Sequence, residues 1–223
     1  MSDVVKNYRN IIGQIRNFHK EFSQTSKDPK LIAVSKTFSE KTIKEVIEDG
    51  HKVFGENKVQ EALEKWKSLK NEYKDLELHL IGPLQSNKVK IALEIFDVIQ
   101  TIDREKIVIK IKDLVDSEFK NRKYKFFVQV NIGNEKQKSG VQISDLRNFL
   151  KWIKNDIRLK IEGLMCIPPF DEDPSLYFNL LRNLCDKNNL QHASMGMTSD
   201  FGKAIQFGAT YLRVGSGIFG KRS

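Results

Sequence analysis

Cysteine, long apolar runs and clustered histidine are what this 223-residue sequence has little of, and each shortage removes a class of protein. Only Cys166 and Cys185 are present, without C-x-x-C spacing, so a disulfide framework is not expected and a reducing cytoplasm is the setting that fits two free thiols. No apolar stretch approaches the ~20 residues that span a bilayer. The opening Met1-Ser2-Asp3-Val4-Val5-Lys6 lacks a charged segment followed by an apolar one, so a secretory leader is not expected. His19, His51, His79 and His192 stand singly, without metal-ligand spacing, and no metal is expected. No Pro/Gly/Ser-rich linker divides the chain, which reads as one domain over 1–223. Blocks of like charge are also missing, although the net charge is +9. The lysines are interspersed with acids, as in Arg104-Glu105-Lys106 and Lys112-Asp113, and no helix-turn-helix or zinc-finger spacing appears. That pattern reads as a lysine-rich solvated surface, with neither nucleic acid nor membrane as a partner.

What is present is an ordinary apolar fraction, 39%, in a chain long enough to bury a core. Val4, Val5, Tyr8, Ile11, Ile12, Ile15, Phe18 and Phe22 recur in steps of mostly three and four, which predicts an amphipathic helix within 1–26, packed on the rest of the fold. Strand and helix patterns then alternate. Strands are predicted over 31–36, 52–55, 76–81, 97–101, 125–132, 160–167, 191–195 and 211–214. Helices are predicted over 40–48, 58–69, 87–94, 104–118, 144–153, 174–188 and 200–207. Ser39, Ser144 and Ser199 sit where helix N-caps belong, and Gly50 and Gly208 where helices end. Eight strands separated by helices predict an α/β fold: a single closed (β/α)8 TIM barrel with an extra N-terminal helix.

In such a barrel chemistry gathers at the C-terminal ends of the strands. Ile32, Val34 and Lys36 share one face of the first strand by period-two alternation, and that apolar face points inward. A lysine that ends a buried row either reaches out to solvent or is held neutral as a nucleophile. Opposite it, Thr198-Ser199 precedes a helix, and Gly215-Ser216-Gly217 lets backbone amides come close to a ligand. The last two loops of β/α barrels commonly bind phosphate. A lysine facing a phosphate site suits an aldehyde that carries a phosphate, and pyridoxal 5′-phosphate (PLP) is such a molecule. Arg213 shares the inward face with Tyr211, with an internal ion pair as its alternative; His79 is inward, as core or as a cofactor contact; Asn57 is a contact or a helix cap. Met165 and Cys166 read as packing. Residues 215–220 spell G-x-G-x-x-G, but no helix and strand with a trailing acid follow, so a dinucleotide site is not expected.

Several segments together resemble the YggS/PROSC family of pyridoxal-phosphate homeostasis proteins, related to the barrel domain of alanine racemase. They are Ala33-Val34-Ser35-Lys36, Phe54-Gly55-Glu56-Asn57, His79-Leu80-Ile81-Gly82-Pro83-Leu84-Gln85-Ser86-Asn87-Lys88, Gln129-Val130-Asn131-Ile132, Lys138-Ser139-Gly140-Val141, Gly163-Leu164-Met165, Ser194-Met195-Gly196-Met197-Thr198-Ser199-Asp200 and the run from Arg213 to Gly220. The resemblance implies a fold-type III PLP-binding barrel, with Lys36 as the Schiff-base lysine and Asn57 near the ring. It implies phosphate contacts from Ser194, Thr198, Gly215 and Ser216, and Arg213 facing the pyridine nitrogen. Members often carry proline where this chain has Ser39 and serine where it has Thr198. The function implied is intracellular PLP (vitamin B6) homeostasis, not catalysis, with PLP-dependent apo-enzymes as possible recipients; a racemase-like PLP enzyme is the alternative. Racemases of this type take a base from an added domain that is not expected here, and a monomer is expected.

Overall fold

Two periodicities divide the chain: apolar residues three and four apart make helices, and alternating or continuous apolar runs between them make strands. The computed structural model describes residues 1–22 and 28–220. A first helix, α1 (Asp3–Phe22), precedes the repeating units β1 (Lys30–Val34), α2 (Glu40–Glu48), β2 (Val53–Glu56), α3 (Val59–Glu72), β3 (Glu77–Leu80), α4 (Val89–Ile95), β4 (Val98–Ile102) and α5 (Glu105–Ser117). The second half runs β5 (Lys125–Val130), α6 (Ile143–Trp152), β6 (Gly163–Cys166), α7 (Ser175–Lys187), β7 (His192–Ser194), α8 (Phe201–Gln206), β8 (Tyr211–Val214) and a short α9 (Ser216–Phe219). The strands pair in sequence order, and β8 closes on β1 in parallel from Lys30–Tyr211 to Ala33–Val214. The architecture is the predicted (β/α)8 barrel with an added N-terminal helix.

Each strand buries both faces, as parallel barrels require. Outward residues meet the helices in a large apolar layer that includes fully buried Phe54, Trp66, Phe96 and Phe178. Each large side chain so buried contributes roughly 1.5–3 kcal/mol. Inward residues form a smaller cluster of Ile32, Val98, Phe127 and Tyr211, with the Phe127 and Tyr211 rings edge to face at 5.5 Å. Helix α1 buries Tyr8, Ile11 and Ile15, sets Phe18 edge-on to Phe201 of α8, and donates from Asn7 Nδ2 to the Ile218 carbonyl of α9. It therefore packs on the outside of the last two units. The predicted extension of this helix toward residue 26 lies outside the described residues.

Some local expectations change. Strand β1 ends at Val34, so Ser35 and Lys36 lie in the loop beyond it. Ser39 caps α2 by accepting from the Thr42 N–H, and Gly50 and Gly208 take positive φ after α2 and α8. Ser144 is not a cap: α6 starts one residue earlier behind Gln142, and the Ser144 hydroxyl meets Asp145 instead. At α8 the cap position belongs to Asp200, one residue past Ser199. A π-helical turn, Ile153–Ile157, extends α6, and a 3-10 turn, Ser86–Lys88, leads into α4. Among the described residues no helix is long and apolar enough to cross a membrane.

Candidate functional site

A cavity of about 370 Å³ opens at the C-terminal end of the barrel, between the loops after β1, β2, β7 and β8. Lys36, Asn57, Thr198, Arg213, Gly215 and Ser216 all line it, together with Val34, Ile81, Met197 and Ser199. Six residues from four separate segments thus converge on one space. His79 and Ser194 do not line it; both are fully buried beneath, inside the barrel.

Lys36 stands at the end of β1 because the inward row Ile32–Val34 leads to it. The next residue, Thr37, has φ 70°, a left-handed conformation unfavourable for a β-branched side chain. Such strain costs about 1–3 kcal/mol and persists where surroundings enforce it. Two groups on α3 do so. Glu61 Oε1 accepts from the Thr37 N–H, and Lys65 Nζ donates to the Ser35 and Phe38 carbonyls at 3.2 and 3.4 Å. Lys65 is itself paired with Glu61 at 2.8 Å and with fully buried Glu56 at 2.9 Å. Glu56 Oε1 also accepts from Ser35 Oγ at 2.8 Å and Trp66 Nε1 at 3.1 Å. Burial raises the Glu56 carboxyl above its ordinary value, against the pull of Lys65, Trp66 and Ser35. Burial acts the same way on Glu61, but Lys65 and the Thr37 N–H hold it below the ordinary value. The sequence reading had missed Glu56 and Lys65. A signal existed: Glu56 shares the outward, helix-facing side of β2 with Phe54, where an unpaired acid would be costly.

Asn57 follows β2 and does not cap α3, whose cap position is Lys58 without a side-chain bond. Its backbone is met so closely by the loop after β3 that a Cβ on Gly82 would lie 2.2 Å from the Asn57 carbonyl oxygen. Thr101 Oγ1 donates to the Gly82 carbonyl at 2.7 Å and fixes that approach. On the far side, Ser216 Oγ and Thr198 Oγ1 are 3.3 Å apart, and the Gly217 N–H donates to Thr198 Oγ1 at 3.3 Å. Gly196 turns the chain into this loop with φ +87°.

Arg213 is 4% exposed and reaches the cavity from β8. Its Nη1 donates to Ser194 Oγ at 2.8 Å and its Nη2 to the Cys166 carbonyl at 2.7 Å. The internal ion pair considered as its alternative does not form: among the described residues no carboxylate lies within salt-bridge distance of it. Burial pulls the pKa of this cation down, against the opposing pull of Cys166 and of Asp200, which acts on it from beyond salt-bridge distance. Its neighbour Cys166 is buried, with its thiol pushed up to about 12 by desolvation, so packing is the role that fits it. No group of His, Cys, Asp and Glu among the described residues could hold a metal ion.

Chemically, the cavity joins a lysine, a buried guanidinium, an amide side chain and the hydroxyls of Thr198, Ser199 and Ser216 beside glycines. This donor set fits an anionic, carbonyl-bearing ring. Known proteins resemble the whole chain. Residues 12–223 match the family of the alanine racemase N-terminal domain. The pyridoxal phosphate homeostasis protein of Aquifex aeolicus is 39% identical over 203 residues, covering 86% of this chain and 87% of that protein. The protein of the same name from Pasteurella multocida is 37% identical, covering 95% and 96%. Among solved structures, PipY of Synechococcus elongatus with PLP bound superposes with a TM-score of 0.85 at 30% identity, covering 97% of this chain and all of that one.

Proposed function

The chain belongs to the pyridoxal phosphate homeostasis proteins within the alanine racemase N-terminal domain family, and from that premise we propose that it binds PLP as a Schiff base on Lys36 and serves intracellular PLP (vitamin B6) homeostasis. The observation that carries this is the convergence of Lys36 and the buried cation Arg213 on one cavity that Thr198 and Ser216 also line. In this reading Thr198, Gly215 and Ser216 bind the phosphate, Asn57 borders the ring and Arg213 faces the pyridine nitrogen. Ser194 acts from beneath, by holding Arg213. His79, fully buried and outside the cavity lining, would act on the cofactor only indirectly. The whole chain, 1–223, acts as one domain with its N-terminal helix packed on the barrel.

PLP supplies an electron sink to bound amines when its ring nitrogen is protonated. Arg213 opposes that protonation, because a guanidinium keeps its own proton. This favours a carrier of PLP for apo-enzymes over a catalyst. The relatives' names point the same way, since they describe homeostasis. A cytoplasmic monomer belongs to the same reading, and the dispersed charge supports the part of it that has neither membrane nor nucleic acid as a partner. The second reading, a racemase-like enzyme, draws on the family match. Incubating PLP-loaded protein with single L-amino acids in D2O separates the two. The carrier reading predicts no enzyme-like exchange of the α-proton, and rapid exchange would establish the other.

A further inference from the structure

Buried polar groups persist when each has a partner, and four of them, from the cavity wall inward, are joined in one line. Arg213, Ser194, Gln100 and His79 are each at most 4% exposed. From Arg213 Nη1 the line passes to Ser194 Oγ (2.8 Å), Gln100 Oε1 (2.6 Å), across the amide to His79 Nδ1 (2.9 Å) and from His79 Nε2 to Glu77 Oε1 (3.0 Å). Glu77 Oε2 accepts from Lys125 at the opposite end of the barrel. The line therefore runs from the cavity wall to the N-terminal ends of β3 and β5.

The two ends dictate the roles between them. A guanidinium only donates and a carboxylate only accepts. Glu77 therefore requires a proton on His79 Nε2. With the ring neutral, Nδ1 is bare and accepts from the Gln100 amide NH2. The Gln100 oxygen then faces Ser194, whose hydroxyl donates to it and keeps a lone pair for Arg213. Every donor points away from the cavity. A proton on His79 Nδ1 would turn the Gln100 amide round and strand the Ser194 hydroxyl between two donors. Burial disfavours that cation more than Glu77 supports it, with Lys125 and Asp97 the other charges acting on the ring.

We propose that Ser194, Gln100 and His79, anchored by Glu77, are positioning residues that fix the guanidinium of Arg213 toward the PLP ring. The proposal rests on the PLP reading of the cavity. It gives the buried histidine and serine, which the cavity does not expose, a task exerted through Arg213. Two N–H groups of Arg213 are committed to Ser194 and the Cys166 carbonyl, which leaves the others directed by the line rather than by solvent.

Two arms test it. In apo-protein labelled with 15N-histidine at neutral pH, His79 is expected as the neutral Nε2–H form, and Gln100→Glu is expected to add a proton at Nδ1. A wild-type ring protonated at Nδ1 would overturn the directional line. In PLP-loaded protein, the pH midpoint of the Schiff-base absorption band is expected to move by half a unit or more in Ser194→Ala and Gln100→Leu. Ser194→Thr is expected to retain the wild-type midpoint, as is Phe127→Leu, an interior control off the line. Midpoints in Ser194→Ala and Gln100→Leu that superimpose on wild type would overturn the positioning role. A wild type that takes up no PLP at all would instead overturn the cofactor reading, and this proposal with it.

Discussion

Replacing Lys65 with methionine removes the cation paired with the buried carboxylate of Glu56 while keeping most of the side chain's volume. The lysine side chain is 13% exposed and Glu56 is wholly buried, so little solvent can replace the lost charge. Removing one member of a buried pair costs about 3–5 kcal/mol. Against a total stability of ~5–15 kcal/mol, this is a large fraction. The Ser35 and Phe38 carbonyls and the strained Thr37 also lose part of their hold, so the loop carrying Lys36 loosens with them. Urea unfolding followed by circular dichroism should show a lower midpoint with an unchanged slope. The pH dependence has a definite sign. Without Lys65 the Glu56 carboxyl is held still further above its unfolded value, so the penalty is full at pH 8 and shrinks as acid protonates it in the fold. The double variant Glu56→Gln/Lys65→Met removes both charges and should recover about 1–3 kcal/mol relative to the sum of the single losses. A loss below about 1 kcal/mol for Lys65→Met, or strictly additive effects, would refute the reasoning that the pair is a buried clamp.

Other outcomes follow from particular contacts. Arg213→Met should lower stability by about 1–3 kcal/mol, because the buried Cys166 carbonyl loses its donor, while PLP uptake measured by absorbance falls at least tenfold. Gly82→Ala should lower stability by about 3 kcal/mol or more in thermal unfolding, since the new methyl meets the Asn57 backbone, which has no room to yield. His51, with its pKa lowered to about 4 by burial, binds a proton more readily unfolded than folded. Its contribution is thus present above about pH 6.5 and lost as pH falls toward 4, by roughly 3 kcal/mol in all. His51→Gln should flatten the stability profile over that window.

The barrel was legible because parallel strands and the helices over them write different periods, and eight such pairs allow few other arrangements. Arg213 was legible because alternation along β8 fixes its inward face, and Lys36 because the inward row of β1 leads toward it, although it stands in the loop just beyond the strand. Alternation cannot say how deep an inward residue sits, so it leaves His79 open between core and cofactor contact, and Ser194 enters only through the family resemblance; neither lines the cavity. Glu56, Lys65 and Gln100 escaped because their roles arise between elements distant in sequence, Ser194 and Gln100 being 94 residues apart. Helix α9 is only four residues, too short for any period to declare itself. The π-helical turn after α6 and the displaced cap at Ser144 reflect packing of the helix end, which local propensity does not encode.

The central claim is that one lysine at the end of β1 holds the cofactor. Reducing PLP-loaded wild-type protein with borohydride and mapping the peptides by mass spectrometry tests it directly. The account predicts a pyridoxyl group on the peptide containing Lys36; a mark confined to another lysine, or none, would contradict it.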